Sequence, residues 1–514
     1  MPWCGGAGRA TGCSEGINVA PPAPDAGPTG APVGPHRGVG HNRGMRDEPT
    51  AGAIDPAPDP DADAPVAAGV PAGLPGGAPD TGDPDPSRRS GRSRPSSPRL
   101  GRAWAAWGLG VSAYLVAVFH RTSLGVASLD AERRFHIGPS LLGTFVAAQL
   151  ALYAGLQIPT GAMADRFGPR RMLTVALVFL AAGEALFGWG TSVGTALAGR
   201  ALVGVGDGLT FLNVLRLVQN WFPASRYGLL TALTSLTGGV GQLISTVPLR
   251  QSLVHFGWVA TFTGSAGVTV VAAVAIGLLL RDRPDTAARL PLRERGSMSR
   301  SVRHAMRTPG TWRGTWAHFT LTGPFVVFTA LWGYPFLVRA QHDSGRDASL
   351  VLALTVVSAV VSAPFVGLLI VRAPRLRARA VTASAVVLLA AWVVVLAWSG
   401  HVPGAAVVVL VVVTGVGGST SVIAFDLARE ANPPERGGAA TGVVNIGGFA
   451  CAVLADLIIG VILDVVDGGG HGADGYRPAL AVVPVMVGVG LVQFLRLGRR
   501  AVRSPAPRPA VATP

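Results

Sequence analysis

Lysine is absent from this chain, so all 43 of its Lys-or-Arg residues are arginine. That bias follows codon usage in a GC-rich genome and carries no functional weight. Cysteine is nearly absent as well: Cys4 and Cys13 lie in a low-complexity stretch and Cys451 in an apolar run, which excludes a disulfide framework or a thiolate metal cluster. Charged residues make up only 14% of the chain, too few for the solvated surface of a water-soluble protein of this length. The formal charge of +15 would suit nucleic acid if the basic residues were gathered with aromatics or on a reading helix, but here they fall between apolar runs. A phosphate-cradling glycine loop ending in Lys-Ser or Lys-Thr, a His-Glu-x-x-His pair and a nucleophile elbow are all missing. These absences argue against an ATP-driven pump or a hydrolase, and no catalytic residue, metal or cofactor is expected. The first thirty residues also lack the apolar stretch of about 7–15 residues that a secretory signal needs.

What is present is hydrophobicity. Nearly half of the residues, 49%, are hydrophobic, and the mean hydropathy is positive, which points to a membrane protein. The apolar residues are unevenly spread. Residues 1–98 are rich in Pro, Gly, Ala and Asp and hold almost no large apolar side chain, too little to offset the entropy of ordering. A disordered cytoplasmic tail is expected there, either a regulatory extension or the result of a start codon assigned upstream of one nearer Met45.

From residue 99 the pattern changes to long apolar segments, each near the ~20 residues that cross ~30 Å of hydrocarbon at ~1.5 Å per residue. The reading gives spans at Trp104–Ser128, Ser140–Met163, Met172–Gly190, Gly194–Val218, Gly228–Leu249 and Trp258–Leu280, a six-helix half over 99–280. A polar, Arg-rich central loop occupies 281–311. A second half over 312–497 holds Trp312–Val338, Ala348–Val371, Ala380–Ser399, Gly404–Ala428, Ala439–Leu463 and Ala479–Leu497, before a short tail, 498–514. The expected fold is therefore an all-α membrane protein of twelve transmembrane helices in two pseudo-symmetric halves. Pro223-x-x-Arg226-x-Gly228 after the fourth span and Pro433-x-x-Arg436-x-Gly438 after the tenth repeat one loop in both halves, as duplicated carriers do.

Arginine near span ends is retained on the cytoplasmic side. One set of alternate loops holds Arg166, Arg170, Arg171, Arg226, the central run from Arg281 to Arg307, and Arg372 to Arg379, while the other holds few. Both termini are thus expected in the cytoplasm of a bacterial cell, with the protein in its inner membrane.

The most specific signal lies between the second and third spans: Gly161-x-x-x-Asp165-Arg166-x-Gly168-x-Arg170-Arg171. Gly161 would let two helices approach, Gly168 would permit a tight turn, and Asp165 would sit against a helix N-terminus or an arginine. This loop resembles that of the major facilitator superfamily. Tyr114 through Arg171, with Tyr153, Gln157 and Pro159, and Arg200 to Gly208 leading to Trp221-Phe222-Pro223, resemble the anion–cation symporter and organophosphate-permease-like branches. The resemblance covers most of the first half and continues through Arg436 to Asp464. The corresponding loop of the second half, Gly367 to Arg377, keeps its basic residues without the Asp-Arg pair.

An ionised side chain inside a span costs roughly 2.5–3.5 kcal/mol on insertion scales, so it is expected to face the bundle interior. Arg121 stands past the middle of the first span, with Tyr114 two turns before it and His120 beside it. Its fork of donors suits a carboxylate or phosphate. The resemblance implies a substrate ligand at Arg121, with Tyr114 and His120 as substrate-binding neighbours; the alternative is a structural arginine paired with Glu184 or Asp207. Arg200 and Asp207 lie two helical turns apart on the fourth span and so point in similar directions. With Glu184 they are candidates for proton coupling, in which Arg200 matches an intramembrane arginine that the resemblance implicates, or else for a fixed ion pair. Asp456, inside the eleventh span, joins this set. Asp426 and Asp464 read as span-end carboxylates, and His318 reads as a hydrogen-bonded packing residue rather than a titrating one. Relatives that carry phosphate esters use a second arginine in the seventh span; only Arg313, at the membrane edge, is available here, which disfavours a doubly charged organophosphate. The fifth span also lacks the Gly-Pro pair of drug–proton antiporters.

The function expected from these readings is secondary transport of a small organic or inorganic anion coupled to protons, by a monomer whose partners are solute, proton and lipid. Efflux of a hydrophobic or cationic compound is the alternative within the class, and a transporter-like solute sensor the alternative outside it.

Overall fold

Helices form wherever the chain is long and apolar, because a backbone in hydrocarbon finds hydrogen-bond partners only within itself. The computed structural model describes residues 100–283, 298–433, 436–467 and 475–503. The expected tail 1–98, residues 284–297 of the central loop and residues 504–514 lie outside the described residues. Among the described residues, eleven helices are long and apolar enough to span a bilayer. One of them, Tyr227–Leu279, has 53 residues, about 80 Å of helix and more than twice the hydrocarbon thickness. It divides at Gly257, whose φ of 75° and ψ of 178° break the helical path. The result is twelve spans in the fold expected. Prolines at the first positions of Pro139–Phe167, Pro169–Trp189 and Pro309–Val327 start those helices where a missing N–H has no consequence.

The surface is that of a lipid-solvated protein. Val271, Leu278, Val371 and Val465 are exposed, whereas Glu184, Arg200, Asp207 and Asp456 are fully buried. Apolar side chains face outward and charged ones inward, the reverse of a soluble chain.

Several spans are interrupted, and in related places. The first consists of Leu100–Thr122 and Leu124–Phe135, extending past the expected end at Ser128. The fourth consists of Val193–Gly208 and Phe211–Trp221, and its counterpart, the tenth, of Gly404–Thr420 and Ile423–Glu430. The seventh, counterpart of the first, loosens into π-helix over Phe328–Trp332 and Phe336–Ala340, on either side of Gly333–Pro335, with Pro324 and Pro335 each removing a backbone donor. The central loop, expected to be irregular, contains the helix Met298–Arg307. Its Ala305 is buried and Val302 packs against the core, so a few apolar side chains suffice to dock an otherwise basic helix.

Among the described residues, three polar contacts tie the two halves together toward the end away from the Arg170 and Arg377 loops. Arg339 pairs with Glu132, the Ser140 amide donates to Asp464 Oδ2 at 3.1 Å, and Gln242 donates to Thr329 at 2.9 Å. Nearby, Gly143 lets the backbone of Asp456 approach so closely that a Cβ would stand 2.4 Å from its carbonyl oxygen. The two halves are therefore joined closely at that end.

Candidate functional site

The interruptions of the first and fourth spans build the site. A helix that ends leaves its last carbonyls without intrahelical partners, and Arg121 and Asp207 are each the last residue but one of such a helix. Around the first break, the His120 carbonyl accepts from Arg200 Nη2 at 3.1 Å and from Ser123 Oγ at 3.0 Å, and the Arg121 carbonyl accepts from Gln149 Nε2 at 3.3 Å. Around the second, the Asp207 carbonyl accepts from Thr210 at 2.8 Å, Gly208 from Thr160 at 3.2 Å, and Leu209 from Asn213 at 2.6 Å. The two charged side chains thus stand at helix ends whose freed carbonyls are met by neighbouring side chains.

Between them runs a two-stranded ion pair: Arg121 Nε donates to Asp207 Oδ2 at 2.6 Å and Nη2 to Oδ1 at 2.7 Å. The Asp207 side chain is fully buried, whereas that of Arg121 keeps 12% exposure. The Arg121 guanidinium lies 4.5 Å from the centre of the Tyr153 ring and 5.7 Å from that of Phe449, which comes from the other half. Tyr114, within reach of the same guanidinium, packs on Phe211 at 5.1 Å. Arg121 therefore stands at the seam between the halves, packed among polar and aromatic side chains.

A second cluster lies deeper in the first half. Arg200, fully buried, donates to Gln149, the His120 carbonyl, Ser123 and, at 3.4 Å, Glu184, while its guanidinium lies 5.1 Å from the Phe187 ring centre. His120 turns away from Arg121: its Nε2 meets Thr269 at 2.7 Å and its Nδ1 lies 2.9 Å from Glu184. The structure therefore brings Arg121, Tyr114 and Asp207 together and places His120 with Arg200 and Glu184. Arg200 and Asp207 share a helix, as their spacing requires, yet each takes its partner from another one, because side chains two turns apart on a packed helix are claimed by different neighbours.

Asp456 is separate from both clusters. Its carboxylate is fully buried near Trp332, and neither oxygen has a hydrogen-bond partner among the described residues. His318 accepts from the Gly448 amide at 3.1 Å and packs on Phe425. Asp426 pairs with Arg429 one turn on. Gln149, Phe449 and Asn445, which neighbours Tyr153, were not singled out in the sequence; a glutamine inside an apolar run carried the one readable signal.

In the loop motif, Gly168 has φ 81°, and a Cβ there would come within 2.6 Å of Asp282, so glycine is required twice over. The Arg170 amide donates to Asp282 Oδ1 at 2.6 Å and its Nε to the Gly277 carbonyl at 2.9 Å, tying the loop to the end of the sixth span. Arg166 lies over Phe167, and Gly161 and Arg171 occupy the flanking helices. The side chain of Asp165 lies outside the described residues.

The chain is 26% identical over 267 residues to the "Probable sulfoacetate transporter SauU" of Cupriavidus necator, covering 50% of this chain and 62% of that one. It is 22% identical over 222 residues to the "Probable L-galactonate transporter" of Escherichia coli strain K12, covering 43% and 49%. The matched stretches thus span less than two thirds of these curated relatives. The crystal structure of a bacterial homologue of the human lysosomal transporter Spinster shares the fold, with a TM-score of 0.64 over 79% of this chain and 99% of that one, at 14% identity. The sequence profile described as Major Facilitator Superfamily matches residues 110–455, well over half of the chain. Twelve spans, a buried charged seam and that match lead to one conclusion: the chain belongs to the Major Facilitator Superfamily.

Proposed function

We propose that this transporter carries a small organic anion together with a proton, and that the Arg121–Asp207 pair is the exchange point. The observation that supports this is the pair itself, a bidentate ion pair whose acid is fully buried and whose base is still partly reachable. A solute carboxylate or sulfonate has the same fork of oxygens as Asp207 and can replace it on the guanidinium. Asp207 would then be an ionised carboxylate buried without a partner, a costly state that proton uptake relieves. Arginine plus aspartate is neutral, and arginine plus monoanion plus protonated aspartate is also neutral, so solute and proton move together. Tyr114 and Tyr153 supply hydroxyls and ring faces around the solute. Arg200, Glu184 and His120 act one step back, by fixing the end of the helix that carries Arg121. The names of the two relatives point to the same solute class, small hydroxylated or sulfonated carboxylates.

The distribution of arginines supports a bacterial inner-membrane location, with the Arg170 face and both termini in the cytoplasm. On that reading the site is closed toward the outside in this conformation and loads or unloads from within. Purified protein in liposomes tests the coupling: an inward gradient of galactonate, a monoanion, should acidify the lumen. Asp207→Asn should keep solute counterflow and move no protons, and Arg121→Gln should lose both. Solute flux without proton movement, or full activity of Arg121→Gln, would refute the proposal.

A further inference from the structure

A cavity of about 840 Å³ opens on the flank of the second half, remote from Arg121, between the seventh, ninth and twelfth spans. Three arginines line it, Arg313, Arg379 and Arg499, and no carboxylate does. All three stand at the ends of their helices on the arginine-rich face: Arg313 early in Pro309–Val327, Arg379 early in Arg377–Ala397 and Arg499 late in Val482–Arg503. Arg313 lies 4.8 Å from the Phe494 ring centre, and its solvent-shielded Nε donates to nothing among the described residues. Gly498 makes room for that posture, since a Cβ there would come within 3.0 Å of Arg313 Nη2. Below the arginines the wall is apolar and faces the bilayer, with Ala383, Val386 and Leu495 exposed.

We infer that this cavity holds an anionic glycerophospholipid from the leaflet on the arginine-rich side, phosphate on the three guanidinia and acyl chain along the Ala383–Val387 wall. Three unopposed cations at one bilayer surface attract an anionic headgroup, and basic pockets between spans are where such headgroups bind. The distance from Arg379 to Val387 is about 12 Å of helix, enough for the glycerol and the first acyl carbons. A free anion would meet the charged rim and leave the apolar wall bare, whereas a lipid meets both.

Native mass spectrometry of the detergent-purified protein, titrated with phosphatidylglycerol or phosphatidylcholine, tests this assignment. Wild type should retain phosphatidylglycerol at least tenfold more tightly than phosphatidylcholine. The triple variant Arg313→Gln, Arg379→Gln, Arg499→Gln should lose that preference. Ala383→Trp, at a bilayer-facing position where folding is undisturbed, should weaken phosphatidylglycerol retention with the arginines intact. Equal retention of the two lipids by wild type, or unchanged preference in the triple variant, overturns the assignment. So does equal thermal stabilisation by inorganic phosphate, which would mean a simple anion site.

Discussion

Replacing Asp207 by asparagine removes one charge from a pair whose acid is fully buried and whose base is 12% exposed. Breaking such a pair from one side costs about 3–5 kcal/mol, because the remaining charge is left without compensation; the residual exposure of Arg121 puts the expected loss near the lower value. Two further consequences distinguish this pair from an inert strut. The double variant Arg121→Gln, Asp207→Asn should recover most of the lost stability, since both charges are then gone. Anionic solute should also stabilise Asp207→Asn more than wild type, because the guanidinium no longer has an internal competitor. In wild type the solute-bound state holds one more proton than the free state, so binding strengthens as pH falls and weakens as pH rises. The apparent dissociation constant should change about tenfold per pH unit, the equivalent of about 1.4 kcal/mol. In Asp207→Asn that slope should vanish. Thermal-shift titrations of both proteins with galactonate at several pH values read all of this at once. An identical pH slope in wild type and variant would show that the proton is carried elsewhere, and unchanged stability of the variant would show that the pair is not formed.

Other substitutions probe the parts around it. Gly168→Ala meets both a positive φ with an extended ψ, a backbone region open to little but glycine and costing about 1–3 kcal/mol, and Asp282 at 2.6 Å; melting temperature and transport rate should fall while solute affinity in detergent stays constant. Glu132→Gln breaks the bond to Arg339 across the closely joined end, so maleimide labelling of a cysteine placed at Ser140 should rise, and unchanged labelling would count against that joint. Arg200→Lys replaces a planar fork that reaches Gln149, the His120 carbonyl, Ser123 and Glu184 with a single ammonium. It should lower both stability and solute affinity, measured by thermal shift, and wild-type values would rule out its positioning role.

Much of the architecture was readable because hydrocarbon thickness and helix rise fix the length of a span. The exceptions are physical. The first span runs on to Phe135 because Asp130, Glu132 and Arg133, which look like loop residues, lie at its far end, where Asp130 meets Arg250 and Glu132 meets Arg339. The fifth and sixth spans nearly merge because a single glycine, Gly257, carries the whole turn. In the site, Arg121, Asp207, Glu184 and Arg200 were recognisable as costly charges in apolar runs. Their pairing was not, since spacing along one helix says nothing of which neighbour lies opposite. Gln149 and Phe449 escaped for the same reason: their role exists only once the second and eleventh spans meet the first.

The interruptions beside Arg121 and Asp207 have a mechanical meaning. A continuous rod would have to swing along its whole length whenever its charged residue changed partner. A rod jointed two residues beyond that charge can bend there, so under the proposed exchange of carboxylate for solute the strain would fall at a pivot rather than spread through a stiff beam. The paired joint in the tenth span and the loosened coil of the seventh put the same kind of weak point in the opposite half.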